Sequence, residues 1–186
     1  MEAFSDGVLA IIITIMVLEM KVPHGTGLAS LKPLLPVFLS YVLSFIYLGT
    51  YWNNHHHLLQ AVKHVDGKIL WANLHLLFWL SLFPFTTGWM GENHLAPMPV
   101  ALYGLNLLLA GFAYYLLGRT LIARHGKESA IATALGWDPK NLLSVGLYAV
   151  AIPLAFANVY LSCGLYAFVA AMWLVPDKRI ENVLGK

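Results

Sequence analysis

Long apolar runs make up most of this chain, separated by short polar clusters and by proline and glycine. A membrane-spanning helix needs about 20 mostly apolar residues, and six segments meet that need. The first runs from about Phe4 to Val22, interrupted by Ser5, Asp6, Thr14 and Glu19, and Pro23, Gly25 and Gly27 end it. The second spans 34–57, the third 69–89 with Pro84 near its far end, and the fourth 99–123. A polar loop follows over 124–140. The next 35 residues, 141–175, are too long for one span and just enough for two short ones. Asn158, the most polar point among them, divides them into 141–157 and 158–175. The expectation is an all-α integral membrane bundle of six transmembrane helices, one repeat and one domain over residues 1–186. The stretch Thr86 to Gly91 has a passing likeness to a Thr-Val-Gly-Tyr-Gly filter. Its order does not match and a full span precedes it, so it reads as a loop turn and no re-entrant filter loop is expected.

Composition agrees with burial in lipid. Of 186 residues 59% are hydrophobic and 11% charged, where a soluble domain carries about 25% charged residues. The single Cys163 excludes an internal disulfide framework and a multi-thiolate metal site. The net charge of +2 forms no basic stripe, so nucleic acid is not an expected partner. The first apolar run has no Lys or Arg before it and no small-residue cleavage site, which reads as a mature spanning helix rather than a signal peptide. With six spans, one side of the membrane holds Lys63, Lys68, Arg119, Arg124, Lys127, Lys140, Lys178, Arg179 and Lys186, and the other only Lys21 and Lys32. The excess of positive charge marks the cytoplasmic side, so both termini are expected there.

Polar side chains inside spans are costly and mark function or buried polar contacts. On the first helix, at 100° per residue, Gly7, Ile11, Thr14, Ile15 and Leu18 share one face, while Asp6 points roughly 140° away from Ile11. That face reads either as a helix–helix contact with Thr14 bonded to its own backbone, or as the lining of a path. Asp6 reads as a cap at the helix start or as a buried hydrogen-bonding group, expected to meet Ser, His or Asn side chains. Glu19, near the opposite surface, reads as solvated. On the second helix, His55, His56 and His57 cannot converge on one ion, because helical neighbours stand 100° apart and none has a histidine four residues on. No metal site is expected. One of these histidines is expected to bond a carboxylate or amide on the first or third helix, with Asn73 and His75 as partners within reach, and Trp52 to anchor at the interface or pack in the bundle. The motifs His-Glu-x-x-His, Gly-x-Ser-x-Gly, Walker A and Cys-x-x-Cys-His do not occur, so no enzyme is expected.

The opening Phe4-Ser5-Asp6-Gly7-Val8, followed by Ala10-Ile11 and Thr14, resembles the signature of the transmembrane protein 175 family, the endolysosomal potassium channels and their prokaryotic relatives. Ser44-Phe45, Trp52 with His55-His56, Asp66, Asn73 and Phe83-Pro84-Phe85 are similar to the family's second and third helices. By motif the resemblance covers about the first half of the chain. It implies potassium conduction without the usual filter loop, one six-helix repeat per chain, assembly as a homotetramer and a pore lined by the first helix. The family's constriction, a ring of Ile or Leu five residues after the motif Asp, maps to Ile11. Further pore layers map to Ile15 and Leu18, and a Thr layer implicated in selectivity maps to Thr14. Phe4, Ser5, Asp6, Trp52, His55, His56 and Asn73 carry the motif as a structural network. One feature departs from the pattern: the family's Arg four residues before the motif Phe would fall at position 0, outside this sequence.

The expected function is a potassium-permeable, homotetrameric cation channel in a lipid bilayer, a multi-pass protein of a prokaryotic plasma membrane. Potassium, and with it other monovalent cations, would pass near Ile11 and Thr14, and no cofactor is implied. The alternative is a proton-conducting pathway or secondary transporter using Asp6 and the histidines of helices two and three. The chain has no internal repeat of the kind transporters carry, and its ionisable residues cluster near helix ends, which disfavours that reading.

Overall fold

Every regular element among the described residues is helical. The computed structural model describes residues 1–60, 62, 64–126, 128–135 and 139–174. Lys63, Lys127, Lys178, Arg179, Lys186 and Val175, used above for orientation and for the last span, lie outside the described residues. In chain order the elements are α1 (Glu2–Leu18), a 3₁₀ turn (Leu28–Leu34), α2 (Leu35–Gln60), α3 (Gly67–Ser81), α4 (Phe83–Glu92), α5 (Pro97–His125), the short α6 (Ala130–Leu135), α7 (Pro139–Ala157) and α8 (Val159–Leu174). Four helical stretches, Leu28–Gln60, Gly67–Glu92, Pro97–His125 and Lys140–Ala157, are long and apolar enough to cross a membrane. α1 and α8 are shorter, at 17 and 16 residues.

The breaks follow from local chemistry. Asp66 caps α3 by accepting a hydrogen bond from the Ile69 amide at 3.0 Å. Asn158 ends α7 and starts α8, its Oδ1 accepting from the amides of Tyr160 and Leu161 at 3.1 and 3.2 Å. Pro97 opens α5 at a position where a missing N–H costs nothing. Pro84, which cannot donate to the preceding turn, separates α3 from α4 at Leu82.

The Thr86 to Gly91 stretch is not a loop turn. It lies within α4. Its glycines serve packing rather than turning: a Cβ on Gly91 would stand 2.7 Å from the Cα of Val37 on α2, and one on Gly88 would stand 3.0 Å from a Glu19 carboxylate oxygen. The central helix is α5, which packs on α3, α4, α7 and α8. A Cβ on its Gly104 would collide with the Tyr166 hydroxyl of α8. Around this point several buried polar groups are bonded across helices, although the Asn106 Oδ1 has no partner among the described residues. Ser44 of α2 meets Thr87 of α4 at 2.7 Å and Tyr103 of α5 at 3.0 Å. Tyr47 donates to the Tyr166 carbonyl at 2.6 Å, and Tyr166 to the Val100 carbonyl at 3.3 Å. α1 lies to one side, against α2, α3 and α4.

Candidate functional site

α1 buries one stripe and exposes the other. Ser5, Leu9, Ile12 and Met16 recur every three or four residues and are buried against the bundle. Gly7, Ile11, Thr14, Ile15 and Leu18 are exposed in the single chain, Ile11 by 59% and Leu18 by 80%. The face that helical spacing singles out is therefore the one the rest of the chain leaves uncovered. Thr14 is its one hydroxyl. It donates to the Ile11 carbonyl at 2.9 Å, so its proton is engaged and its oxygen lone pairs stay available.

Two polar assemblies hold the other side of α1. In the buried one, His55 Nε2 of α2 lies 2.7 Å from Asn73 Oδ1 of α3, Asn73 Nδ2 donates to Ser5 Oγ at 3.0 Å, and Ser5 donates to the Met1 carbonyl at 3.2 Å. Each group donates to the next, which fixes His55 with its proton on Nε2. His55, Asn73 and Ser5 are at most 2% exposed. His55 Nδ1 is left without a partner among the described residues.

The second assembly lies nearer the surface. Trp52 Nε1 donates to Asp6 Oδ1 at 3.0 Å, and its ring stacks on His56 with centroids 5.8 Å apart. His56 Nδ1 pairs with the Glu2 carboxylate at 2.8 Å, and His56 Nε2 accepts from Gln60 Nε2 at 2.8 Å. His56 thus fits the Nδ1–H tautomer, the opposite of its neighbour. Glu2 and Asp6 on α1 grip His56 and Trp52 on α2, with Gln60 bonded behind His56, and both sets are spaced by four residues.

These contacts sort the residues singled out from sequence. Asp6 is no cap, since Met1 holds the N-cap position, and within the chain its partner is the Trp52 indole rather than Ser, His or Asn. His75 does not reach the first two helices but accepts from Trp79 of its own helix at 3.0 Å. Phe4 stands apart from the network on the Ile11 face, 60% exposed. Two histidines, not one, are engaged across helices. Glu2 and Gln60 escaped the sequence reading, although their four-residue spacing to Asp6 and His56 is a visible signal. No group of three or more His, Cys, Asp or Glu that could hold a metal ion occurs among the described residues.

At the far end of α1, Glu19 follows the helix, and Lys21 pairs with Glu92 at 2.9 Å. Glu19 itself is exposed.

Residues 1–84, which contain α1 to α3 and every member of both assemblies, match a family model described as the endosomal/lysosomal potassium channel TMEM175. A potassium channel of Chryseobacterium sp. (strain P1-3) is 55% identical over 184 residues, covering 99% of this chain and 96% of that protein. A potassium channel of Streptomyces collinus is 32% identical over 185 residues, covering 90% of each. The crystal structure of a lysosomal potassium-selective channel TMEM175 homolog from Chamaesiphon minutus superposes with a TM-score of 0.80 at 31% identity, covering 94% of each chain.

Proposed function

The chain belongs to the TMEM175 family, and on that premise we propose that it is a potassium-permeable cation channel whose ion path runs along the exposed face of α1. It is a multi-pass membrane protein and not an enzyme. Four copies assemble as a closed ring with α1 innermost, since one helix with one such face cannot surround a path and identical chains close by cyclic symmetry. Ile11, Ile15 and Leu18 form stacked apolar layers, with Ile11 the constriction, and Thr14 supplies the oxygens that a partly dehydrated cation needs. The path requires no re-entrant loop. The six apolar segments span the membrane as one domain, both termini are cytoplasmic, and the membrane is the prokaryotic plasma membrane. Phe4, Ser5, Asp6, Trp52, His55, His56 and Asn73 belong to the scaffold of α1 rather than to the path, and no cofactor takes part.

One observation carries this reading. α1 turns its polar anchors and its Leu9–Ile12–Met16 stripe into its own subunit and leaves the Ile11–Thr14–Ile15–Leu18 face uncovered. The proton-pathway alternative is less well supported, because Asp6 and His55 are engaged in helix–helix hydrogen bonds. The test is purified protein in liposomes under opposed potassium and sodium gradients. Flux with a reversal potential displaced toward that of potassium is expected. Flux of protons alone, or none from assembled protein, contradicts the proposal.

A further inference from the structure

A cavity of about 40 Å³ lies behind α2, on the side away from α1. Tyr47, Thr50, Tyr51 and Asn54 share the α2 face that borders it, and Trp52 and His56, which grip α1, leave the helix in roughly the opposite direction. α5 contributes Gly111 and Tyr114, α7 contributes Asn141, Ser144 and Tyr148, and α8 contributes Trp173. The surrounding hydroxyls are mostly engaged. Tyr47 donates to the Tyr166 carbonyl, Thr50 donates to the Ile46 carbonyl at 2.8 Å, and Ser144 donates to the Lys140 carbonyl at 2.7 Å while accepting from Trp173 Nε1 at 2.9 Å.

Tyr51 Oη and the Asn54 side-chain amide are different. Neither has a hydrogen-bond partner among the described residues; Asn54 is bonded only through its carbonyl, which accepts from Tyr114 at 3.5 Å. Both residues are partly buried and border the cavity. Inside a membrane an unpaired hydroxyl and an unpaired amide are costly, and a partner is expected for each.

We propose that this cavity is a hydration site, holding a small cluster of water molecules between Tyr51 and Asn54 behind the helix that anchors α1. One water needs about 10–15 Å³ of such volume and two to four polar partners, so the space suits about three. Tyr51 offers a donor and an acceptor, Asn54 two donors and an acceptor, and the Thr50 oxygen accepts further bonds. Supply is local. Asn54 lies near the end of α2, Ser144 near the start of α7 and Trp173 near the end of α8, so the site sits at the end of the bundle where these helices meet the surface. The inference is independent of the ion path and holds whatever α1 conducts.

Hydroxyl-radical footprinting of the assembled protein in lipid nanodiscs tests it, because radicals form from water and label buried rings that touch water. Tyr51 is expected to be labelled several-fold faster than Tyr103, which is fully buried and bonded to Ser44. Gly111→Val should reduce that labelling, since a Cβ at Gly111 would stand 3.8 Å from Tyr51 Oη and its methyl groups would take the space of water. Labelling of Tyr51 as slow as that of Tyr103 overturns the proposal. So does fast labelling that Gly111→Val leaves unchanged in folded protein, because the reacting water then lies elsewhere.

Discussion

The Trp52 indole and the Asp6 carboxylate join α2 to α1 through one hydrogen bond of 3.0 Å. The bond turns Asp6, in the second turn of α1, toward its own subunit, away from the Ile11 face. The carboxylate is thereby engaged within its own subunit.

Trp52→Phe keeps the aromatic stack on His56 and removes the N–H. A hydrogen bond to a charged acceptor contributes about 1.5–3 kcal/mol, and partial exposure of Trp52 places this one toward the lower end. The expected result is a lower melting temperature of the assembled protein with unchanged potassium-to-sodium preference. Asp6→Asn should behave alike. A collapse of ion preference in normally assembled Asp6→Asn protein would move Asp6 into the path.

Asn73 is the joint of the buried chain, accepting from His55 and donating to Ser5. Asn73→Leu removes both bonds and leaves the buried His55 without a partner, at about 1–3 kcal/mol, while Ser5 keeps only its bond to the Met1 carbonyl. The variant is expected to lose stability by more than Trp52→Phe does, as read by thermal unfolding in mild detergent. Equal or smaller loss would show that the buried chain does not anchor α1.

Gly91 tests the close packing of α4 on α2. Gly91→Ala forces a Cβ to within 2.7 Å of the Val37 Cα, a backbone collision that no rotamer relieves. The expected cost is about 3 kcal/mol, the upper end of the overpacking range. Gly111→Ala, whose Cβ meets an ordinary contact, is the control and should be tolerated.

Thr14→Val keeps the shape of the side chain and removes its oxygen. If Thr14 supplies oxygen to a partly dehydrated cation, the variant conducts with a smaller preference for potassium over sodium. Bi-ionic reversal potentials measure this. Unchanged potentials would remove Thr14 from the selectivity account.

Much of α1 was legible in the sequence, because the 3.6-residue period alone puts Gly7, Ile11, Thr14, Ile15 and Leu18 on one face. The break at Asn158 was legible too, since the residue is both the most polar point of its run and an able cap. The helical course of Thr86 to Gly91 was not. Two glycines near a proline read as a turn, and only the approach of Val37 and Glu19 reveals why they are there. The same limit hid the partner of Asp6. Trp52 reads as an interface anchor, and its pairing depends on how α1 and α2 are rotated against each other. Glu2 with His56 was within reach of a four-residue count along both helices, whereas Ser44 with Thr87 and Tyr103 joins three helices and leaves no local pattern.

The most direct measurement is the potassium flux of Ile11→Asn, per assembled channel, against the parent protein. If four copies bring Ile11 together on an axis, the narrow apolar ring they make gates by dewetting, and a smaller polar side chain keeps it wet. The account predicts a several-fold rise in resting flux with weaker discrimination between potassium and sodium, and a smaller change for Leu18→Asn. If Ile11 instead packs between helices of one subunit, the buried amide costs about 1–3 kcal/mol and destabilises the fold. Loss of assembly without added flux would contradict the claim that this face of α1 lines the ion path.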